Sequence, residues 1–131
     1  MMELALLSPW VIFLFIGVLD WGFYAHAIIT LENATRAAAM YASNGATAYS
    51  DTTTICTIIK NEMSSLPNMQ NVSTCGGTST VAFTSTQVTG PDNNTAVQMS
   101  VTYTTPTMIP IPGVLAKQFT ITRSVTMRST S

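Results

Sequence analysis

One long apolar stretch dominates the start of this chain. In residues 4–31 the only acidic or basic side chains are Asp20 and His26, and residues 4–19 are almost wholly apolar. A membrane-spanning helix needs about 20 apolar residues, so the stretch can cross a bilayer if it continues past Asp20. It is too long for the apolar core of a signal peptide, and it lacks a basic n-region and a clear small-x-small cleavage site. The sequence therefore predicts a retained membrane helix.

The helical pattern continues beyond this apolar stretch. Residues 32–43 are rich in good helix formers, and Asn44-Gly45 is a helix stop. These signals predict one helix from Met2 to Ser43, roughly 60 Å long at 1.5 Å per residue. Within it, Pro9 predicts a kink or a locally melted turn.

In the second part of the chain, a short helical pattern is followed by the alternating pattern of β-strands. Residues 51–66 predict a short amphipathic helix that is capped by Asp51 and ended by Pro67. Three alternating stretches then begin at Val81, Val97 and Phe119, and they predict antiparallel strands. The turn-forming cluster 90–94 separates the first two. The proline-containing loop 105–113 separates the last two.

The predicted fold class is therefore α+β. Residues 1–44 form an N-terminal hydrophobic helix, and residues 45–131 form a head of one short helix and a three- to four-stranded antiparallel sheet. One residue breaks the alternation of the last strand, because Arg123 falls on its apolar face. A bulge, an edge position or a buried partner would each explain it.

Charge is scarce throughout the chain. Charged residues make up 8% of the sequence, against about 25% in an average soluble domain, and the net charge is -1. No electrostatic field is available to steer nucleic acid, so nucleic-acid binding is not expected. A polar surface built from Thr, Ser, Asn and Gln repels copies of itself weakly and suits close packing between them.

The two cysteines, Cys56 and Cys75, lie beyond the membrane segment in a Thr/Ser-rich region typical of exported chains. That setting favours a disulfide, which would close a loop of about 20 residues. Two reduced, buried thiols are the alternative.

No catalytic, cofactor-binding or metal site is predicted. Ser8, Asp20 and His26 share one helix, where positions 20 and 26 are about 240° apart around the axis, so a triad cannot converge. A lone histidine is a poor metal site, and paired acids, phosphate-binding Gly loops and Cys-x-x-Cys are absent from the sequence.

Three N-terminal motifs carry a resemblance to a known family. They are Glu3-Leu-Ala-Leu-Leu-Ser-Pro9, Gly17-Val-Leu-Asp20-Trp-Gly22 and Asn33-Ala-Thr-Arg-Ala-Ala-Ala39. Together they resemble TadE-like proteins, which are pilin-like components of tight-adherence pilus systems. The resemblance rests on specific motifs over residues 3–39. Over residues 80–128 it is limited to a similar succession of strand, proline-rich loop and strand.

The resemblance implies a set of partners and a location. A prepilin-type peptidase would remove a short leader, and an ATPase-driven pilus machine would assemble the chain with copies of itself or related pilins. The helix would lie in membrane lipid of the bacterial inner membrane before assembly, with the head outside the cytoplasm. Only two residues precede Glu3 and no cleavage glycine is present, so we expect either a mature or trimmed chain or unusual processing.

Six residues are predicted to form subunit contacts. Glu3 is costly to bury in lipid, and the amino group of Met1 in a neighbouring copy would compensate its charge. The alternative places Glu3 in the interfacial layer, near the positive end of the helix dipole. Asp20 would meet Arg36 or His26 of a neighbour, or else lie solvated at the outer membrane interface. The remaining two, Pro9 and Gly17, would let the helix bend and pack closely, or be neutral in a bilayer.

These observations predict a structural subunit, not an enzyme. It would be stored in the inner membrane and would polymerise into, or prime, an extracellular filament for adhesion. The alternative is a single-pass membrane protein that never polymerises, such as a periplasmic interaction module or an accessory factor of a secretion machine.

Overall fold

A single long helix, α1, organises the molecule. The computed structural model describes residues 2–45, 47–77, 79–106 and 118–129, with side chains described from residue 6 onward. α1 spans Met2–Ser43, 42 residues or about 63 Å, as predicted. It is continuous through Pro9, so the predicted melted turn is wrong there. A proline near a helix start removes one backbone hydrogen bond, which leaves the later turns intact.

The C-terminal part of α1 belongs to the core of the head. Its buried residues recur at helical spacing, and most of them are small. Because an alanine side chain is short, the backbone of α1 can approach its neighbours closely. The fully or nearly fully buried positions are Ala27, Leu31, Ala34, Thr35, Ala38, Ala39 and Ala42. Buried Thr35 satisfies its hydroxyl by donating to the Leu31 carbonyl at 2.7 Å.

A second helix packs against α1. A 3₁₀ turn at Ala48–Ser50 leads into α2, Thr52–Glu62, which buries Ile55 and Ile59. The predicted start with an Asp51 cap is confirmed, but α2 ends four residues before the predicted Leu66. Turn-type hydrogen bonds replace the helix there, such as Leu66 N–H to Met63 O at 2.9 Å. Two serines at 64 and 65 favour that exchange, because serine hydroxyls compete for backbone groups.

The head contains a three-stranded antiparallel sheet. The strands are β1 (Val81–Thr89), β2 (Thr95–Thr104) and β3 (Thr120–Arg128), in the order β1-β2-β3. The predicted three strands are confirmed, and the described residues contain no fourth. One face of the sheet packs on α1, where Val97, Met99, Val101 and Tyr103 of the central strand are buried. The predicted loop after β2 is described only up to Pro106, so its remainder lies outside the described residues.

The position of Arg123 resolves the break in the β3 pattern. β3 is an edge strand whose register with β2 is uninterrupted from Thr120 to Arg128, so there is no bulge. Arg123 lies opposite Val101 and is exposed. An edge position is therefore the correct one of the three explanations, because an edge strand lets a long side chain reach solvent past the core.

Two contacts fasten the connecting segments to the helices and the sheet. The predicted Cys56–Cys75 disulfide is present and ties α2 to the segment before β1, across a sequence separation of 19. The second contact is a hydrogen bond in which the hydroxyl of Tyr103, on β2, donates to the carbonyl of Pro67, in the segment after α2, at 2.8 Å. Burial raises the pKa of the Tyr103 hydroxyl, so the group stays a donor at neutral pH.

Asp51 connects the two helices. Its carboxylate accepts a hydrogen bond from the Thr54 N–H at 3.1 Å and another from the Tyr41 hydroxyl of α1 at 2.9 Å. The hydroxyl and N–H of Thr54, followed by the Tyr41 hydroxyl, hold the pKa of Asp51 below its usual range. The cap that starts α2 is therefore also a contact with α1.

Removing the disulfide should destabilise the head. Replacing both cysteines, Cys56→Ala with Cys75→Ala, frees the loop in the unfolded chain, and we expect a loss of about 3 kcal/mol. Urea unfolding of the full chain in mild detergent, followed by pulse proteolysis of the head, measures the change. Reductant should shift the native protein to the stability of the double variant and leave the variant unchanged. Equal stability of all four samples would contradict the expectation.

Asp51 should make the stability of the head depend on pH. Because the folded-state pKa of Asp51 is depressed below 3.8, its contribution is present above that pH. The contribution is lost as pH falls through the folded-state pKa. Asp51→Asn should therefore be less stable than the native chain at pH 7, with a difference that shrinks below about pH 3.8. Urea unfolding between pH 2 and 7 tests this, and Tyr41→Phe should reduce the pH dependence without abolishing it. A difference that does not vary with pH would rule the charged cap out.

Candidate functional site: the exposed segment of the long helix

Within the described residues, the N-terminal part of α1 is exposed along almost its whole length and meets the head only at its last residue, Tyr24. Residues 6–24, which we call the exposed segment, contain large apolar side chains on every side of the helix. Trp10 and Trp21 are 71% and 73% exposed. The apolar area is on the order of 1,000 Å², beyond the few hundred Å² that soluble monomers tolerate. A helix that is apolar all round needs lipid or other protein around it.

The length of the exposed segment matches a membrane. Nineteen residues at 1.5 Å each span about 28 Å, close to the ~30 Å of a bilayer's hydrocarbon core. α1 is the one helix in the described chain that is long and apolar enough to cross a membrane. The backbone amides of a helix are paired internally, so the segment can enter lipid without unpaired donors.

Aromatic side chains mark the junction between the exposed segment and the head. Tyr24 contacts Trp21 with ring centroids 6.1 Å apart, and it meets Phe119 edge-on at 6.2 Å. Phe119 directly precedes β3 and is half exposed. No local sequence signal indicates this contact, because only the fold brings residue 119 next to residue 24.

The structure does not bring together the residues predicted as subunit contacts. Met1 lies outside the described residues, and Glu3 belongs to the first turn of α1, where the backbone is described. Pro9 lines a shallow apolar notch on the exposed segment with Trp10 and Phe13. A Cβ added at Gly17 would meet no described atom within 4 Å, so no contact among the described residues requires a glycine there.

The two charged candidates lie far apart on one helix. Asp20 and Arg36 are sixteen residues apart, or about 24 Å along the axis, so they can meet only between copies. Arg36 already pairs with Glu32 one turn away, at 2.5 Å. Both side chains are exposed, at 61% and 43%, so the pair contributes at most about 1 kcal/mol and can be exchanged.

Arg123 is a charged residue that the sequence singled out without a role. Within the described part of the chain, neither Asp20 nor Arg123 takes part in an ion pair. Arg123 is thus a second cation, besides Arg36, that a carboxylate of another molecule can meet. Its position on the apolar face of a strand is the sequence signal that could have indicated a contact with another molecule.

The fold and this segment define a class. A long apolar helix that is bare at its N-terminal end and buried in an α+β head at its C-terminal end is a pilin-like arrangement. A sequence model of the family described as TadE-like protein matches residues 1–40, about a third of the chain. This match confirms the resemblance predicted from the N-terminal motifs, and it relates the chain to tight-adherence pili. No curated protein and no solved structure matches the chain.

Enlarging an alanine should change the stability of the head only where that alanine is buried, which distinguishes the two parts of α1. Ala38 is fully buried in the head, so Ala38→Leu overpacks the core, and we expect a loss of about 1–3 kcal/mol. Ala25 is exposed on the same helix, so Ala25→Leu is the matched control and should leave the head's stability unchanged. Pulse proteolysis in mild detergent reads both. A destabilised Ala25→Leu, or an unaffected Ala38→Leu, would contradict this division.

Proposed function

We propose that this chain is a structural, non-catalytic subunit that polymerises into, or primes, an extracellular adhesive filament after storage in the bacterial inner membrane. The observation that supports it is the exposed segment, which continues without interruption into the buried part of the same helix. An apolar surface on all sides suits a position among several parallel copies of itself. The TadE-like match of residues 1–40 supports the same class.

Moving the exposed segment from lipid into a filament core requires little free energy. Its backbone hydrogen bonds are made within the helix in both states. Its side chains exchange acyl chains for apolar side chains, which are similar surroundings. What changes is side-chain packing. At Gly17 an added Cβ would meet no described atom, so the small size of this residue becomes useful when another helix approaches it.

The few polar groups on α1 would then set the geometry of the assembly. Glu3 next to the amino group of Met1 in a neighbouring copy would remove the cost of an unpaired buried charge. Asp20, which forms no ion pair with any described residue, would meet a cation of a neighbour. His26 and Arg36 were the predicted partners, and Arg123 joins them. The partners are therefore copies of itself or related pilins, with the pilus machine and prepilin-type peptidase acting on the chain by resemblance.

The proposed orientation places the head outside the cytoplasm. A disulfide persists in an oxidising compartment, and Cys56–Cys75 is formed. The ring cluster of Trp21, Tyr24 and Phe119 lies between the exposed segment and the head, where aromatic residues favour a membrane interface. The N-terminus of α1 would then face the cytoplasm until the subunit is extracted.

A second function fits one of the same observations. Since the exposed segment spans about the thickness of one bilayer, lipid alone would cover it. The chain would then be a single-pass membrane protein with a periplasmic interaction head, or an accessory factor of the secretion machine. The two functions differ in whether another helix ever contacts residues 6–24.

A substitution that favours membrane insertion but hinders helix packing discriminates the two. Gly17→Leu adds an apolar side chain, so insertion into lipid should be unchanged or improved. In a filament the same side chain would keep neighbouring helices apart, and we expect loss of filaments. The measurement is electron microscopy of sheared surface material, with mass spectrometry of its N-terminus, from cells that express the chain with its assembly system.

Val18→Leu is the matched control, because Val18 is exposed beside Gly17 and is already branched and apolar. It should leave filaments intact. If the native chain is never found in sheared material and mild detergent extracts it from membranes as a monomer, the filament proposal is wrong and the anchored module is correct. Filaments that persist in Gly17→Leu would remove Gly17 from the packing surface.

A further inference from the structure

We propose that the heads of neighbouring copies share one continuous sheet, in which the free edge of β1 pairs with the free edge of β3 of the next copy. The inference rests on the proposed polymerisation and names a second interface for it, apart from α1. It has three requirements. Both edges must be open, pairing of two β1 edges or two β3 edges must be less favourable, and the membrane anchor must permit the pairing.

The hydrogen bonds at the ends of the first ladder show which groups of β1 face outward. Thr104 N–H donates to Thr80 O at 2.9 Å, and Gly90 N–H donates to Asn94 O at 2.8 Å. Hydrogen-bonded and non-hydrogen-bonded pairs alternate in an antiparallel ladder. Even-numbered residues of β1 therefore bond to β2, and odd-numbered residues direct their N–H and C=O toward the free edge.

Most of that edge is open. The Val81 carbonyl is the exception, since it accepts from the Gly76 N–H at 2.9 Å and from the Ser79 hydroxyl at 2.7 Å. Within the described chain, the outward backbone groups of the remaining odd-numbered residues have no hydrogen-bond partner. Those residues are Phe83, Ser85, Gln87 and Thr89.

Within the described residues, β1 lacks the devices that usually protect an edge strand. Soluble proteins block edges with charged side chains, prolines, bulges or very short strands. β1 is nine residues long, has neither a charge nor a proline, and pairs with β2 without a bulge. An unprotected edge of this length is a site for strand addition.

β3 offers a matching edge of the same length. Thr105 N–H donates to Phe119 O at 2.9 Å, and Ser129 N–H donates to Thr95 O at 3.0 Å, so the odd-numbered residues of β3 bond to β2. The even-numbered residues, from Thr120 to Arg128, face outward. Unlike β1, this strand has two arginines, Arg123 and Arg128. Arg128 pairs with Asp92 of its own chain at 3.6 Å, whereas Arg123 forms no ion pair with a described residue. Two paired β3 edges would bring the Arg123 charges of both copies to one seam, and the uncharged β1 avoids that repulsion.

The membrane anchor selects between the remaining arrangements. Antiparallel pairing of two β1 edges needs a two-fold axis normal to the sheet. Because α1 lies against the face of the sheet, that axis would reverse one helix relative to the other. Copies anchored in one membrane, or stacked in a polar filament, keep their helices in the same direction. β1 and β3 run parallel to each other, so β1 of one copy can pair with β3 of the next without any reversal.

Engineered cysteines test this pairing directly. Thr86 and Ser124 are exposed on the outer face of β1 and β3, and the two native cysteines are engaged in their disulfide. The double variant Thr86→Cys with Ser124→Cys, treated with a short bismaleimide on cells, should give a ladder of covalent multimers. Each single variant alone should give none, and co-expression of the two single variants should give dimers only.

The outcomes separate this inference from the proposed function, because filaments are scored independently by microscopy. Filaments without a ladder would overturn edge pairing and leave polymerisation standing. A ladder without filaments would support edge pairing and overturn the filament. Dimers from Thr86→Cys alone would show β1–β1 pairing and overturn the β1–β3 arrangement. The absence of both ladder and filaments would overturn both proposals.

A backbone variant provides the second measurement. The outward N–H of Gln87 makes no bond to β2, so Gln87→Pro removes one hydrogen bond of the proposed pairing and none of the head. In the double-cysteine background we expect the ladder to weaken roughly tenfold, while the Cys56–Cys75 disulfide still forms. Gln87→Ala keeps the N–H and should leave the ladder unchanged. Equal ladders in both would contradict a backbone-mediated contact.

Discussion

The hydrogen bonds inside α1 make the rest of this molecule possible. Apart from the one bond that Pro9 removes, each amide N–H beyond the first turn finds its partner one turn away, so the backbone of residues 6–24 has the same pairing in lipid, in protein or beside water. Only the side chains respond to the surroundings. One helix can therefore lie half in the core of a folded head and half in a medium that the head does not supply.

The alanines of α1 decide where the head can be placed. Ala34, Ala38 and Ala42 recur every fourth residue and are fully buried, so they let the helix backbone come close to the sheet and α2. Toward the N-terminus, large apolar side chains replace them, and the head ends at Tyr24 and Phe119. The small-residue surface is thus used within the subunit, which leaves the bulky exposed segment for contacts with lipid or other copies.

The sequence predicted the elements better than their use. The bounds of α1, the Asp51 cap, the disulfide and the three strands follow from local signals: helix formers, a capping residue, an export-like setting and alternation. α2 ended early because turn bonds after Glu62 competed with the helix, and propensity alone does not settle such competition. The Glu32–Arg36 pair has the spacing of neighbours on one helix face, which the sequence already indicates. The contact of Arg36 with another copy stays a prediction.

What the sequence did not indicate depends on the order of the strands. Nothing local shows that β1 and β3 are edges, that β2 is central, or that Arg123 reaches solvent past an edge; these follow from pairing between residues far apart in the chain. The same holds for Phe119 beside Tyr24. Local signals are set by neighbours along the chain, whereas surfaces are set by the way elements dock.

The exposed segment alone does not specify the geometry of a filament. Apolar side chains attract neighbouring helices without fixing their rotation or axial position, because dispersion and burial have little directionality. Hydrogen bonds along a sheet edge do fix a register, since a slip of one residue exchanges the two faces. With 8% charged residues, the chain can form only a few ion pairs between copies, and these fix the geometry only in part. If the exposed segments supply the attraction between copies, the free edges of β1 and β3 are the directional groups that can fix the register between them.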